Sequence, residues 1–407
     1  MNQNKPFAIQ AMAKPIGATC NLNCTYCYYL EKQKLYPKNG SVRMTDEMLE
    51  FFIRQYIGVQ QVPVVQFVWQ GGEPSLLGLD YFKRVVVLQR KYAEGKRIEN
   101  SFQTNGTLLD DEWCAFFKEH NFLIGISIDG PKHVHDAYRS YRNGQPSFDH
   151  VMRGVKLLQK HKVDFNTLTV VHRQTPRHAI EIYKFLKEIG SQYLQFIPIV
   201  ERVNKVIDPE TLNLVPPSQH DAEVTEWSVL PEDYGNFLNT IFQQWVKADV
   251  GKVFVQQFDA TLANWVGENP GICVFSPTCG DSVVVEHNGD VYSCDHYVYP
   301  EYKLGNIKQT TLFGLGLSER QQTFGQNKLT TLPKQCRECK FRFACHGECP
   351  KHRFLTTSDG EYGLNYLCVA FKKFFTHVTP YMNFMANELK NNRSPANVML
   401  YAKTIKI

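Results

Sequence analysis

Long hydrophobic runs are missing from this sequence. Its first residues, MNQNKPFAIQAMAKP, hold no apolar segment of leader length, and no later stretch approaches a membrane span. We therefore expect a cytoplasmic protein with no membrane partner. An excess of one charge is missing as well: 45 lysines and arginines stand against 40 aspartates and glutamates, a net of +5 spread along the chain. That balance describes a solvated surface and excludes a nucleic-acid footprint. Low-complexity segments are absent too, and 407 residues suit a large core domain plus a smaller one. Cysteine is absent in a patterned way. Twelve occur in all, yet between Cys27 and Cys273 there is only Cys114. In a reducing compartment, closely spaced thiols are metal ligands or redox centres more often than disulfides. Cys114, standing alone, reads as a small buried hydrophobe.

Between the cysteine-rich ends, short Val-, Ile- and Phe-rich runs alternate with amphipathic helical stretches. The strand candidates are 64–69, 99–104, 122–129, 164–171 and 192–199, with helices near 45–57, 79–93, 110–120, 148–161 and 176–189. A strand before Cys20 (FAIQAMAK) makes six βα units. This α/β alternation gives either a doubly wound sheet or a full or partial barrel, and both collect chemistry at the C-terminal ends of the strands. The GGEP loop at 71–74, TNG at 104–106 and DG at 129–130 fall there. Residues 201–231 are polar and proline-containing and read as a loop or insertion; a helix is expected at 231–249 and another at about 368–391. The expected divisions are 1–230 (barrel and linker), 231–268 (connecting helical segment), 269–372 (metal-held cysteine domain) and 373–407 (helix and tail).

Cys20, Cys24 and Cys27 form a CxxxCxxC triplet in the loop after the first strand. Three thiolates can hold three corners of a [4Fe–4S] cluster that normally takes four cysteines, leaving one iron open to a substrate. Zinc thiolate sites usually come as two CxxC-like pairs and lack this triplet. Downstream, Cys273, Cys279, Cys294, Cys336, Cys339, Cys345, Cys349 and Cys368 supply eight thiols. These are enough for two fully ligated [4Fe–4S] clusters, although spacing alone also allows zinc.

The triplet, with Tyr26 at its aromatic place, resembles the signature of the radical S-adenosylmethionine superfamily over residues 14 to about 200. The resemblance implies a partial (β/α)6 barrel. It also implies a methionine-binding loop at Gly71, Gly72, Glu73 and Pro74, with Gln70 beside it. By the same similarity Ser127 and Asp129 line the adenosyl site, Tyr26 and Val200 lie at the adenine, and Arg139 lies near the carboxylate. The later cysteines, with Gly289, resemble the twin-cluster SPASM domain of peptide-modifying radical enzymes. That likeness implies one cluster on Cys273, Cys279, Cys294 and Cys349 and another on Cys336, Cys339, Cys345 and Cys368, three [4Fe–4S] clusters in all with the first.

Asp295 after Cys294 in YSCDHYVY, the segment FLIGISIDGPKHVHDAYR and the stretch QFDATLANW resemble anaerobic sulfatase-maturating enzymes. The family chemistry so implied is reductive cleavage of S-adenosylmethionine to a 5′-deoxyadenosyl radical. That radical removes a Cβ hydrogen from a cysteine or serine of an unfolded sulfatase polypeptide, and the product is Cα-formylglycine. A carboxylate beside an auxiliary cluster suits the second half of that oxidation, because a deprotonated Cβ radical is a much stronger reductant. Asp295 is the expected base and His296 the runner-up, while Tyr29 is expected to contact the peptide. A reducing donor such as flavodoxin or ferredoxin is the implied second partner. Two other readings carry different requirements. Thioether- or carbon–carbon-forming relatives typically bring an N-terminal peptide-recognition domain, for which the nineteen residues before Cys20 leave no room. A non-catalytic multi-cluster electron carrier needs neither an open iron nor a GGEP loop.

Overall fold

A computed structural model describes residues 8–37 and 40–404. Six strands follow one another in the first half: β1 (Gln10–Lys14), β2 (Val64–Trp69), β3 (Arg97–Thr104), β4 (Leu123–Ser127), β5 (Phe165–Val171) and β6 (Tyr193–Pro198). All are parallel, and each pairs with the next in chain order. A doubly wound sheet needs a reversal of strand order, and none occurs here. A sheet wound in one sense carries its right-handed crossovers on one face and curls around the other, which is the partial-barrel arrangement. The intervening helices are α1 (Asp46–Val59), α2 (Leu79–Tyr92), α3 (Asp111–Glu119), the short α4 (Lys132–His135), α5 (Phe148–Lys160) and α6 (Ala179–Glu188). Their starts are written locally: Thr45 caps α1 by accepting from the Met48 N–H, and Asp110 caps α3 by accepting from Trp113.

Helices and sheet close on an aromatic core. Phe52, Phe67, Trp69, Phe82, Phe102, Trp113 and Phe117 meet in edge-on, stacked and tilted pairs with ring centroids 4.9–6.2 Å apart. Each such ring contributes roughly 1.5–3 kcal/mol by burial. Cys114 on α3 is fully buried in the same core, as its isolation in the sequence indicates.

Within 201–231 lies a small antiparallel pair, β7 (Arg202–Val203) and β8 (Glu223–Val224). Helices α7 (Pro231–Ala248) and α8 (Gln256–Val266) follow, with β9 (Phe254–Val255) between them extending the sheet beyond β6. At the opposite edge the sheet continues through β10 (Ser282–Glu286), β11 (Asp290–Tyr292) and β12 (Lys303–Asn306). Strand β10 lies parallel to β1, from Gln10 opposite Ser282 to Lys14 opposite Glu286. The sheet therefore runs across the expected division at 268/269. The helix Cys368–Lys390 likewise spans 372/373 and packs Phe371, Phe374 and Phe375 against α7, α8 and Phe275. Among the described residues no helix is long and apolar enough to cross a membrane.

Candidate active site at the barrel mouth

The cysteine triplet lies in the loop that leaves β1, at the C-terminal end of the sheet. Hydrogen bonds from Leu22 N–H (3.4 Å) and Asn105 Nδ2 (3.9 Å) reach the Cys20 sulfur, and Arg142 Nε donates to the Cys20 carbonyl (3.2 Å). The three thiols are close enough to raise one another's pKa. Burial, with smaller contributions from Glu73 and the neighbouring thiols, pushes Cys20 up to about 12; burial does the same to Cys24. Three half-buried thiols clustered in one loop suit a bound metal cluster, whose charge would keep them deprotonated.

The GGEP loop is pinned against this cysteine loop. Gly72 N–H donates to the Gly17 carbonyl (2.8 Å) and Glu73 N–H to the Thr19 carbonyl (2.9 Å). A Cβ at Gly72 would stand 2.0 Å from the Thr19 carbonyl oxygen, and Gly71 holds φ at 144°, so both positions require glycine. Glu73 is 1% exposed. Its carboxylate accepts from Ser75 N–H (3.1 Å), Ser75 Oγ (2.6 Å), Thr104 Oγ1 (2.7 Å) and Asn105 N–H (2.7 Å). Burial nevertheless raises its pKa above the ordinary glutamate value. Gln70 points its amide oxygen at Lys14 Nζ (2.8 Å), and Ser127 Oγ accepts from Gln103 Nε2 (3.0 Å).

Asp129 is fully buried and holds three groups together. Arg139 grips it through Nε (2.9 Å) and Nη2 (3.2 Å), Tyr26 donates its hydroxyl, and the Val170 N–H adds a fourth bond (3.0 Å). Burial pushes the Asp129 pKa up, but Arg139 together with His135 and His172 pulls it down further, and the carboxyl stays below its usual range. The Tyr26 ring stacks on His172 at 5.7 Å. Arg139, expected near a ligand carboxylate, thus has two of its N–H groups committed to Asp129. Val200 ends β6 with 2% exposure.

Asp295 sits at the exit of the β10–β11 hairpin, which docking of β10 on β1 carries to the barrel mouth. Its carboxylate lies 2.5 Å from Lys14 Nζ and accepts the Tyr28 hydroxyl at 2.5 Å. Burial pushes its pKa up, and Lys14 with the surrounding hydrogen bonds pulls it down further, so the net shift is downward and the group is a carboxylate. Lys14 is 1% exposed and also lies over the Tyr29 ring at 4.3 Å. His296 stacks edge-on against Tyr28, and burial with nearby Lys351 lowers its pKa to about 3, which keeps the imidazole neutral. Tyr29 is buried and spends its hydroxyl on Glu286; Tyr28 is the tyrosine that reaches Asp295. Sequence reasoning passed over Lys14 and Tyr28. The available signals were a lysine closing an otherwise apolar strand and a second tyrosine directly after the triplet.

The downstream thiols fall into two neighbourhoods. Cys273, Cys279, Cys294 and Cys349 act on one another electrostatically, and so do Cys336, Cys339, Cys345 and Cys368. The second four, with Phe341 and Phe371, line one small cavity. The structure thus groups these cysteines as the resemblance divides them. All eight are free thiols, so each group offers the four sulfurs that a fully ligated cubane needs.

Comparison with known proteins agrees with this layout. Residues 15–186 match the family model described as the radical SAM superfamily, and residues 273–340 match an iron–sulfur cluster-binding domain. The serine-type anaerobic sulfatase-maturating enzyme of Bacteroides thetaiotaomicron is 53% identical over 97% of this chain and 95% of its own. The cysteine-type anaerobic sulfatase-maturating enzyme of Clostridium perfringens is 34% identical over 94% of this chain and 99% of its own. The solved structure of native anSMEcpe with bound AdoMet and Cp18Cys peptide superposes with a TM-score of 0.82 at 33% identity, covering 94% of this chain and all of that one. This chain belongs to the anaerobic sulfatase-maturating enzymes of the radical S-adenosylmethionine superfamily.

Proposed function

We propose that this protein oxidises a seryl side chain of a sulfatase polypeptide to Cα-formylglycine, with Asp295 as the base. The observation that carries the reading is the placement of Asp295. A partly exposed carboxylate, held ionised by the buried Lys14 and oriented by Tyr28, stands at the barrel mouth beside Cys294 of one four-thiol group. When bound, S-adenosylmethionine and the cluster on Cys20, Cys24 and Cys27 supply the hydrogen-abstracting radical, and clusters on the two four-thiol groups supply the electron acceptor. The chain's own residues do the rest. Converting CH2OH to CHO removes two hydrogens: one leaves as an atom, and the other as a proton to Asp295, while a cluster held by the neighbouring thiols would supply the acceptor for its electron. A cysteine substrate passes through the thioaldehyde, which water converts to the aldehyde with release of hydrogen sulfide. Within the binding machinery, Gly71, Gly72 and Glu73 form the amino-group cradle, while Tyr26, Ser127 and Val200 border the adenosyl end. Arg139 acts there by holding Asp129 and Tyr26 in place.

Serine is favoured as target because the serine-type relative shares 53% identity and the cysteine-type relative 34%. A low-potential carrier such as flavodoxin or ferredoxin provides the reducing electron. The test is anaerobic incubation of reduced, cluster-reconstituted protein with S-adenosylmethionine and two sulfatase-motif peptides that differ only in Ser or Cys. Aldehyde on the Ser peptide, formed in proportion to 5′-deoxyadenosine, is expected. Formation of 5′-deoxyadenosine with neither peptide oxidised overturns the reading.

A further inference from the structure

The two four-thiol groups are joined by a bridge three residues long. Cys345 belongs to one group and Cys349 to the other, and His346, Gly347 and Glu348 connect them. All three bridge residues occupy the left-handed region, with φ of 46°, 73° and 53°. Only the middle one is glycine, and a non-glycine residue held there costs about 1–3 kcal/mol. The bridge persists because something over-determines it.

That something is Arg353. Its Nε donates to the Gly347 carbonyl (2.9 Å), and its Nη2 to the carbonyls of His346 (2.9 Å) and Glu348 (3.1 Å). Its Nη1 donates to the Lys328 carbonyl at 2.6 Å. A Cβ on Gly347 would lie 2.6 Å from Nη2, so the guanidinium rests directly on the bridge. Arg353 is 5% exposed, and its hydrogen bonds among the described residues all go to neutral carbonyls. The bridge carboxylate, Glu348, is engaged instead by His352 Nδ1 (2.8 Å) and Asn365 Nδ2 (2.7 Å). Lys328 repeats the theme. It is fully buried, and its ammonium donates to the carbonyls of Cys273 and Val274.

Burying a cation against neutral groups alone costs several kcal/mol unless an anion lies close by. Thiols surround these two cations, Cys273, Cys279 and Cys349 near Lys328 and Cys336, Cys345 and Cys349 near Arg353, and the Glu348 carboxylate lies near both. One carboxylate already shared with His352 is left to balance two buried cations, and thiolate-bound clusters are the anions that fit the remaining charge. A fixed positive charge in a low-dielectric interior favours the electron-rich state of whatever redox centre it faces.

We propose that Arg353 is a positioning residue for electron transfer, fixing the spacing of the two auxiliary clusters and raising the reduction potential of both. Lys328 raises the potential of the Cys273/Cys279/Cys294/Cys349 site alone. The inference rests on the reading that these thiols hold clusters, and the experiment separates the two claims. Reconstituted full-length protein is assayed for iron and titrated electrochemically with EPR detection. The N-terminal cluster is recognised by its response to S-adenosylmethionine. In Arg353→Gln both auxiliary reduction equilibria are expected to fall at least tenfold, about 59 mV for one electron. In Arg353→Lys, which keeps the charge and loses the fork, the fall is less than tenfold. The magnetic coupling between the two reduced auxiliary clusters changes in that variant as the bridge relaxes. Lys328→Gln lowers one auxiliary potential and leaves the other. Full iron with unchanged potentials in Arg353→Gln overturns the electrostatic role, and unchanged coupling in Arg353→Lys overturns the positioning role. If Arg353→Gln fails to retain iron, Lys328→Gln decides the electrostatic claim, and unchanged potentials there overturn it. Iron for fewer than three clusters in the unmodified protein overturns the cluster reading itself, and this inference with it.

Discussion

Replacing Asp295 with asparagine separates radical generation from the completion of the oxidation. The substitution is isosteric, and the new amide oxygen still accepts the Tyr28 hydroxyl, now at 2.5 Å from the carboxylate. What disappears is the proton acceptor and the negative charge 2.5 Å from Lys14. A positioned base contributes roughly 10²–10⁴-fold to a proton-transfer step, equivalent to about 3–5 kcal/mol of barrier. Lys14 is 1% exposed, and stranding one partner of a buried pair costs a further ~3–5 kcal/mol of stability. Asp295→Asn is therefore expected to cleave S-adenosylmethionine, to yield at least 100-fold less formylglycine per 5′-deoxyadenosine by the lower bound above, and to melt at a lower temperature. Anaerobic turnover with a Ser peptide, quantified by mass spectrometry and chromatography, gives the ratio directly. Lys14→Met provides the contrast: it keeps the carboxylate, so its ratio should fall less than that of Asp295→Asn. An Asp295→Asn protein with the unmodified ratio of product to 5′-deoxyadenosine refutes the reasoning.

Gly72→Ala should reduce iron retention at the first cluster, because its methyl would meet the Thr19 carbonyl at 2.0 Å in the loop leading to Cys20; iron analysis after reconstitution checks this. Arg139→Leu strands the fully buried Asp129 and should cost about 3–5 kcal/mol of stability, measured by denaturant unfolding. Burial, helped by Arg139, holds the His135 pKa at about 3 against an ordinary 6.5. The unfolded chain therefore binds the extra proton between those values, and His135 makes stability fall as pH drops below 6.5. His135→Gln should remove about 1.4 kcal/mol per pH unit from the slope of unfolding free energy in that window. An unchanged slope counts against a buried neutral histidine.

The barrel was legible because its signals are local. Apolar runs such as VVQFVW and the caps at Thr45 and Asp110 lie within single elements, and those elements form where the periodicity places them. The sequential strand order, which separates a partial barrel from a doubly wound sheet, is a property of long-range pairing that the helix–strand alternation leaves open. Cysteine spacing and resemblance together delivered the thiol groups. The Asp295 environment was half legible: the residue itself stands out after Cys294, whereas its partner Lys14 is some 280 positions away and arrives through the pairing of β10 with β1. Tyr28 and Tyr29 are adjacent and chemically identical, and only packing decides that Tyr28 turns to Asp295 while Tyr29 turns to Glu286. The left-handed bridge under Arg353 was invisible for the same reason, since His346 and Glu348 carry no preference for that backbone.

In the proposed reaction a radical generated at the triplet site takes a hydrogen atom from the β-carbon of the target residue, and Asp295 completes the oxidation. Its most direct test uses a sulfatase-motif peptide whose target serine carries deuterium at both β positions. One deuterium is expected in each 5′-deoxyadenosine and one on the formyl carbon, with transfer persisting in Asp295→Asn while aldehyde is lost. Aldehyde formed with no deuterium in 5′-deoxyadenosine contradicts it.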